Sequence, residues 1–361
     1  MESTRSDGSS DDRLRSDEMA EISAEGVSEI SRTIRFKNRP SLLVTAKDVT
    51  LPRIYEKLNV AQYGRQKAMP RDLLLSEIGN FEGLYCLLRD KIDKKVLDAA
   101  KRLKVISTMS VGYDHIDIEE CRKRNIVVTY TPDVLTETTA ETTIALLLTT
   151  ARRIPEAIED VKTGRWGTWS PFYMCGVGIC NSTVGIIGFG RIGRSVAEKV
   201  KAFSPKRVVF YDTHPDKEVK VETARRLRCE SVTLEDLLRC SDFVILNCSA
   251  TNENKDMINR RTLSMMRRNA VLINTSRGTL INQTDLCDAL TEGVIRAAGL
   301  DVTTPEPLPI SSPLLKLPNC VVFPHIGSAT EATRREMMKL AEDCILAVLA
   351  DGKMPSNARI V

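Results

Sequence analysis

His115, His214 and His325 are the only histidines among 361 residues. Imidazole titrates near neutral pH, so each is a candidate to give or take a proton. His115 stands in SVGYDHID, where it can simply hold a turn, and His214 follows an aspartate at a strand end. His325 stands in FPHIGSAT, past the apolar run CVVFP, with a stiff proline before it and small residues after it, Gly327 among them. Open α/β sheets bind ligands beyond the carboxyl ends of their strands, so position favours His325 as the acid–base group. Two further groups occupy such positions. Arg277 in NTSRGTLI follows AVLINT, and its planar guanidinium suits a carboxylate or carbonyl. Glu306 in GLDVTTPEPLP lies in a proline-bounded loop after another strand. A carboxylate beside an imidazole orients the ring and favours its charged form.

A second chemistry is written in TVGIIGFGRIGRSVAEKV. A buried strand runs straight into Gly188-x-Gly190-x-x-Gly193, and a helix opens at Arg191. The first glycine permits a tight turn, the second lets the backbone approach a pyrophosphate, and the third lets helix and strand pack closely. The free N–H groups at Arg191, Ile192 and Gly193 and the positive end of the helix dipole then face the phosphates. Asp212 ends the next strand, VVFYD, 19 positions after Gly193 and close to the spacing of about 20 for the acidic residue that takes a ribose hydroxyl. The 2′-phosphate of NADP would place like charges about 4 Å apart, costing up to about 4 kcal/mol before solvent screening. Thr213-His214-Pro215 adds no arginine to hold that phosphate. The expected cofactor is therefore NAD(H), with NADP(H) as the alternative.

Positioning these groups requires parallel sheets. From Ser41 onward, short apolar runs (SLLVTA, GLYCLL, KVIST, IVVTY, then TVGIIG, RVVFYD, DFVILNC, AVLINT, IRAAGLD and CVVFP) alternate with helical patterns such as 92–103 and 117–125. Unbroken β-branched strands between helices indicate parallel sheets covered on both faces. So many strands imply two sheets. The turn signal Thr131-Pro132-Asp133 precedes a long helical pattern from about Thr138 to Thr163, and 331–352 reads as a final helix able to return to the first unit. The expected fold is α/β with two Rossmann-like doubly wound domains: a substrate-binding domain at 35–135 plus 331–361, interrupted by a dinucleotide-binding domain at 136–330. Residues 1–34, rich in Ser, Asp and Glu and without aromatics, read as a disordered acidic tail.

Composition excludes several classes. Fifty-two basic and 48 acidic residues give a net charge of +4, which does not suggest a nucleic-acid or anionic-membrane surface. No apolar run approaches the roughly 20 residues that span a bilayer. The ten cysteines form no CxxC pair, which argues for reduced thiols in a cytoplasmic protein and against a metal site. The amino-terminal stretch has neither the apolar core of a secretory signal nor the basic character of a transit peptide.

Taken together, GFGRIG, NTSRGTLIN, AAGLDVTTPEPLP and PHIGSAT resemble the D-2-hydroxyacid dehydrogenase family from about Ser41 to Pro355. VISTMSVGYDHID and YTPDVLTETTAE point within it to the glyoxylate/hydroxypyruvate reductase branch. The resemblance implies a homodimeric oxidoreductase that reduces a small 2-oxo acid with a nicotinamide cofactor. It implies that Arg277 anchors the substrate, that Glu306 and His325 form the acid–base pair, and that the backbone of Val111-Gly112 holds the substrate carboxylate. It places Ser249, Thr275 and Asp301 near the cofactor or substrate and Gly327 near the cofactor, and it has Trp169 reach into a partner's site. Family reductases that favour NADPH carry Gly-Arg where this chain has Asp212-Thr213, a departure that again points to NAD(H). The same motifs are also compatible with an NAD-binding corepressor-like interaction protein or a phosphoglycerate dehydrogenase.

Overall fold

Strands form here where apolar residues can be buried on both faces. The computed structural model describes residues 29–32, 36–350 and 352–361. The chain separates into two compact units: residues up to Pro132 together with those from Arg335, and Asp133–Arg334.

The first unit carries a sheet of β1 (Ile30–Arg32), β2 (Ser41–Val44), β3 (Asn59–Tyr63), β4 (Gly83–Cys86), β5 (Val105–Thr108) and β6 (Val127–Thr129), in the order β1-β3-β2-β4-β5-β6. All neighbours are parallel except β1, which runs antiparallel to β3 with Ile30 opposite Tyr63. One face is buried by Leu43, Tyr63, Leu84, Ile106 and Val128 within a continuous core. On the other, the helix Glu331–Leu349 lies so close that a Cβ on Gly83 would meet the Leu349 side chain at 2.7 Å.

The second unit is built on β7 (Thr183–Ile187), β8 (Arg207–Tyr211), β9 (Cys229–Ser231), β10 (Phe243–Leu246), β11 (Val271–Asn274), β12 (Ala297–Leu300) and β13 (Cys320–Val322). The order is β13-β12-β11-β10-β7-β8-β9, and every pairing is parallel. Alternate residues feed two cores: Ile187, Val209, Val244 and Leu272 enter one, and Ile186, Val208, Ile245 and Ile273 the other. That period-2 division is why these strands read as continuous apolar runs. The strand order reverses between β7 and β10, and all carboxyl ends share one edge, the arrangement that places ligands at that switch point.

Three expectations are corrected. The tail read as disordered through residue 34 already contains β1, where Ile30 is buried and Arg32 pairs with Glu77 at 2.7 Å; the rest of it lies outside the described residues. The single helix expected from Thr138 to Thr163 is two, Thr136–Ala151 and Ile154–Lys162. Arg153 takes a left-handed φ of 55° at the break, and Pro155 follows, which cannot continue a preceding helix. Beyond the ten strands visible as apolar runs, β1, β3 and β9 also form, with polar sequences (ISR, NVAQY and CES) that carry little pattern signal.

Candidate active site

The glycine loop leaves β7 with each glycine in a distinct steric setting. Gly188 has φ of 94°, and a Cβ there would meet the Cys248 backbone N at 2.5 Å. A Cβ on Gly193 would lie 2.0 Å from the Gly188 carbonyl O, so helix and strand touch through this residue. A Cβ on Gly190 meets nothing within 4 Å, so open space lies over the loop. The helix Arg191–Lys201 begins there with no side chain capping it. Its first N–H groups are therefore available to an anion. An open cradle beside an uncapped helix end is what a dinucleotide pyrophosphate requires, and the residues present fit that group.

Asp212 closes the adjacent strand end. Its carboxylate accepts the Phe189 N–H (2.8 Å), tying β8 to the glycine loop, and the His214 N–H (2.8 Å). It also pairs with Lys220 Nζ at 2.5 Å, both side chains being only 10% exposed. Burial pushes the Asp212 carboxyl up, but Lys220 and the two N–H donors outweigh it and hold it below the usual range. Lys220 escaped the sequence reading, because it stands eight residues on in the helix Glu218–Leu227 and no spacing rule ties it to Asp212.

At the β11 end, Asn274 is fully buried and shapes the turn that carries Arg277. Its Nδ2 donates to the Arg277 carbonyl (2.8 Å) and its Oδ1 accepts the Ser276 N–H (3.0 Å). The next residue, Gly278, approaches the following loop so closely that a Cβ would sit 2.2 Å from the Thr303 carbonyl. Arg277 and the Glu306 loop are thereby packed backbone to backbone. Glu306 Oε1 accepts the Thr303 N–H (2.9 Å), and Oε2 faces His325 Nδ1 at 2.8 Å. Gln283 adds a clamp missed in the sequence: its Oε1 accepts the Thr304 N–H (2.8 Å) and its Nε2 donates to the Thr304 carbonyl.

His325 itself takes a left-handed φ of 56°. Asp301, 1% exposed, holds that bend. Its carbonyl accepts the His325 N–H (2.9 Å), and its carboxylate accepts the N–H groups of Ile326 and Gly327 (2.8 Å each). Burial pushes the Glu306 carboxyl up, yet the His325 hydrogen bond and charge, the Thr303 N–H and the Arg277 charge together bring it below its ordinary value. Burial leaves Asp301 raised. With Nδ1 engaged by Glu306, Nε2 is the ring nitrogen able to serve a substrate.

The remaining expected residues fall as follows. Thr275 lies at the β11 end, with its hydroxyl 2.7 Å from that of Thr143 and taking a bond from Asn247 (3.3 Å). Ser249 is exposed past β10, and its carbonyl accepts from Asn254 (2.8 Å). Val111 and Gly112 belong to the first unit, where Ser110 Oγ donates to the Gly112 carbonyl at 2.6 Å. His115 bonds Thr108 (3.0 Å), consistent with a turn-holding role. Trp169 is 79% exposed on a loop that Asp160 braces through Arg165 (2.7 Å) and Tyr173 (2.6 Å). Among the described residues, no His, Cys, Asp and Glu side chains gather as a metal site, and no helix is long and apolar enough to cross a membrane.

A parallel sheet with a glycine loop at its switch point, and a Glu–His pair beside an arginine at the same edge, define a nicotinamide-dependent dehydrogenase. The sequence profile of the D-isomer specific 2-hydroxyacid dehydrogenase NAD-binding domain matches residues 144–327, and the chain belongs to that family. It is 48% identical over 302 residues to the human glyoxylate reductase/hydroxypyruvate reductase, covering 83% of this chain and 91% of that one. The crystal structure of the TT0316 protein from Thermus thermophilus is similar with a TM-score of 0.81 and 41% identity, over 89% of this chain and 100% of that one. The NADPH-dependent glyoxylate/hydroxypyruvate reductase of Sinorhizobium meliloti, solved with NADP and malonate, is similar with a TM-score of 0.76 and 30% identity, over 90% and 97% of the two chains.

Proposed function

We propose that this protein reduces a small 2-oxo acid, hydroxypyruvate or glyoxylate, to the D-2-hydroxy acid, with NADH as the preferred cofactor. The observation that carries the reading is the His325 Nδ1 to Glu306 Oε2 contact of 2.8 Å in the field of Arg277. The names of the human and Sinorhizobium relatives support the substrate class. The glycine loop with Arg191, Ile192 and Gly193 holds the pyrophosphate, and Asp212 takes a ribose hydroxyl. When bound, the nicotinamide supplies the hydride. Arg277 holds the substrate carboxylate and sets the carbonyl for attack. His325 Nε2 gives its proton to the oxygen that becomes the hydroxyl, and Glu306 holds Nδ1–H and so fixes the orientation of the ring. The neutral imidazole then regains a proton from water.

The protein is further proposed to act as a cytoplasmic homodimer. All ten cysteines are free thiols, as a reducing compartment favours. Ile154, Ile158 and Val161 line one exposed helix face, followed by exposed Trp166, Trp169 and Phe172. These exposed apolar side chains support association with a second copy, which Trp169 would meet. The test is the loss of reduced-nicotinamide absorbance with hydroxypyruvate, glyoxylate or phosphohydroxypyruvate, run with NADH and NADPH in parallel. Rapid NADH oxidation with either of the first two is the expected result. Turnover only with phosphohydroxypyruvate, or with none of the three, contradicts the proposal.

A further inference from the structure

The adenosine end of the cofactor site contains a charge pair whose second member no motif announces. Lys220 Nζ lies 2.5 Å from Asp212 Oδ1. Oδ1 also accepts the His214 N–H, and Oδ2 accepts the Phe189 N–H. A carboxylate offers about four acceptor sites. Three are filled from within the fold, which leaves one for a ribose hydroxyl. The buried charge of Asp212 is therefore compensated before any nucleotide arrives. Arg194, on the glycine-loop helix, also lies within the field of Asp212, although its own guanidinium is lowered first by burial and then by Arg191.

This changes the electrostatics of discrimination. The case for repulsion of a 2′-phosphate assumes an uncompensated carboxylate, whereas a pair of opposite charges presents little net field to an incoming anion. We infer that Lys220 sets how strongly this chain discriminates NADH from NADPH: by neutralising Asp212 it keeps the preference for NADH shallow and lets the phosphorylated cofactor bind. Lys220 acts through Asp212, so it is a specificity-determining residue and not a catalytic one. The inference rests on the nicotinamide reading above and deepens it.

The experiment measures the dissociation constants of NADH and NADPH by fluorescence titration, for wild type and variants, with thermal unfolding to confirm the fold. In Lys220→Met the ratio of the NADPH to the NADH constant rises about tenfold, or about 1.4 kcal/mol of added discrimination. Lys220→Arg, which keeps the charge, holds the ratio within about threefold of wild type on the same scale. A ratio in Lys220→Met within about twofold of wild type overturns the inference, as does an equal weakening of both nucleotides. Should Lys220→Met not fold, Lys220→Gln, which removes the charge but keeps a hydrogen-bond donor for Asp212, takes its place; its ratio is expected to rise at least about threefold, and a smaller rise overturns the inference. Wild type that binds neither nucleotide removes the cofactor reading itself, and the inference with it. Wild type that binds both, with no response at Lys220, removes the inference alone.

Discussion

At the residue scale the site is a set of carboxylates with different tasks, separated by their surroundings. Asp301 spends its oxygens on the Ile326 and Gly327 N–H groups and fixes the His325 bend. Glu306 faces the ring. Asp212 anchors the glycine loop and Lys220. The Asp212 carboxyl is held below its ordinary 3.8 in the fold. A depressed acid contributes stability that is present above the unfolded value and lost as pH falls through the folded one. The melting-temperature gap between wild type and Asp212→Asn should therefore be constant from neutral pH down to about 5 and close as the pH falls below about 4. A gap that widens with acidity would show that Asp212 is not stabilised as its ion. The positions of Arg277, Glu306 and His325 past the carboxyl ends of strands were legible because β11, β12 and β13 are apolar runs. Lys220 was not, since its partner is chosen by the packing of the helix Glu218–Leu227 and not by spacing.

At the element scale, the turns at strand ends make the chemistry local, and the glycines there separate folding from binding. A Cβ on Gly190 has open space, whereas one on Gly193 collides with the Gly188 carbonyl. Gly190→Ala should therefore melt close to wild type yet lose about tenfold or more in cofactor affinity, because the methyl occupies the approach of the pyrophosphate. Gly193→Ala should lose about 1–3 kcal/mol of stability, since the clash is with backbone that cannot rotate away. Chemical denaturation and nucleotide titration of both variants check this; equal destabilisation of the two would contradict it. The strands of the second unit were legible almost throughout because a doubly covered sheet writes itself as apolar runs. The helix break at Arg153 was less so, as Pro155 alone does not say where the preceding helix stops. Gln283 was silent for another reason: its clamp on Thr304 joins two segments 21 residues apart.

At the scale of the whole molecule, the C-terminal helix decides whether the first unit is complete. Glu342, buried on the helix Glu331–Leu349, accepts the N–H groups of Arg53 (2.8 Å) and Ile54 (3.1 Å) and the Arg53 guanidinium (3.0 Å). The helix Pro52–Lys57 has no side-chain cap of its own, so a residue 289 positions later supplies it. Glu342→Ala should cost about 1–3 kcal/mol by leaving the Arg53 N–H uncapped and taking one partner each from the Ile54 N–H and the Arg53 guanidinium, read as an earlier midpoint in urea; an unchanged midpoint would show the cap to be dispensable. No local pattern could announce this contact, although the alternation of elements did announce a helix returning to the first unit. The central claim concerns proton transfer, and its most direct test is the turnover of His325→Asn with hydroxypyruvate or glyoxylate and NADH, alongside its affinity for NADH. The account predicts a fall of about 10²–10⁴-fold in kcat with the cofactor still bound. Near-full turnover by a folded His325→Asn protein would contradict it.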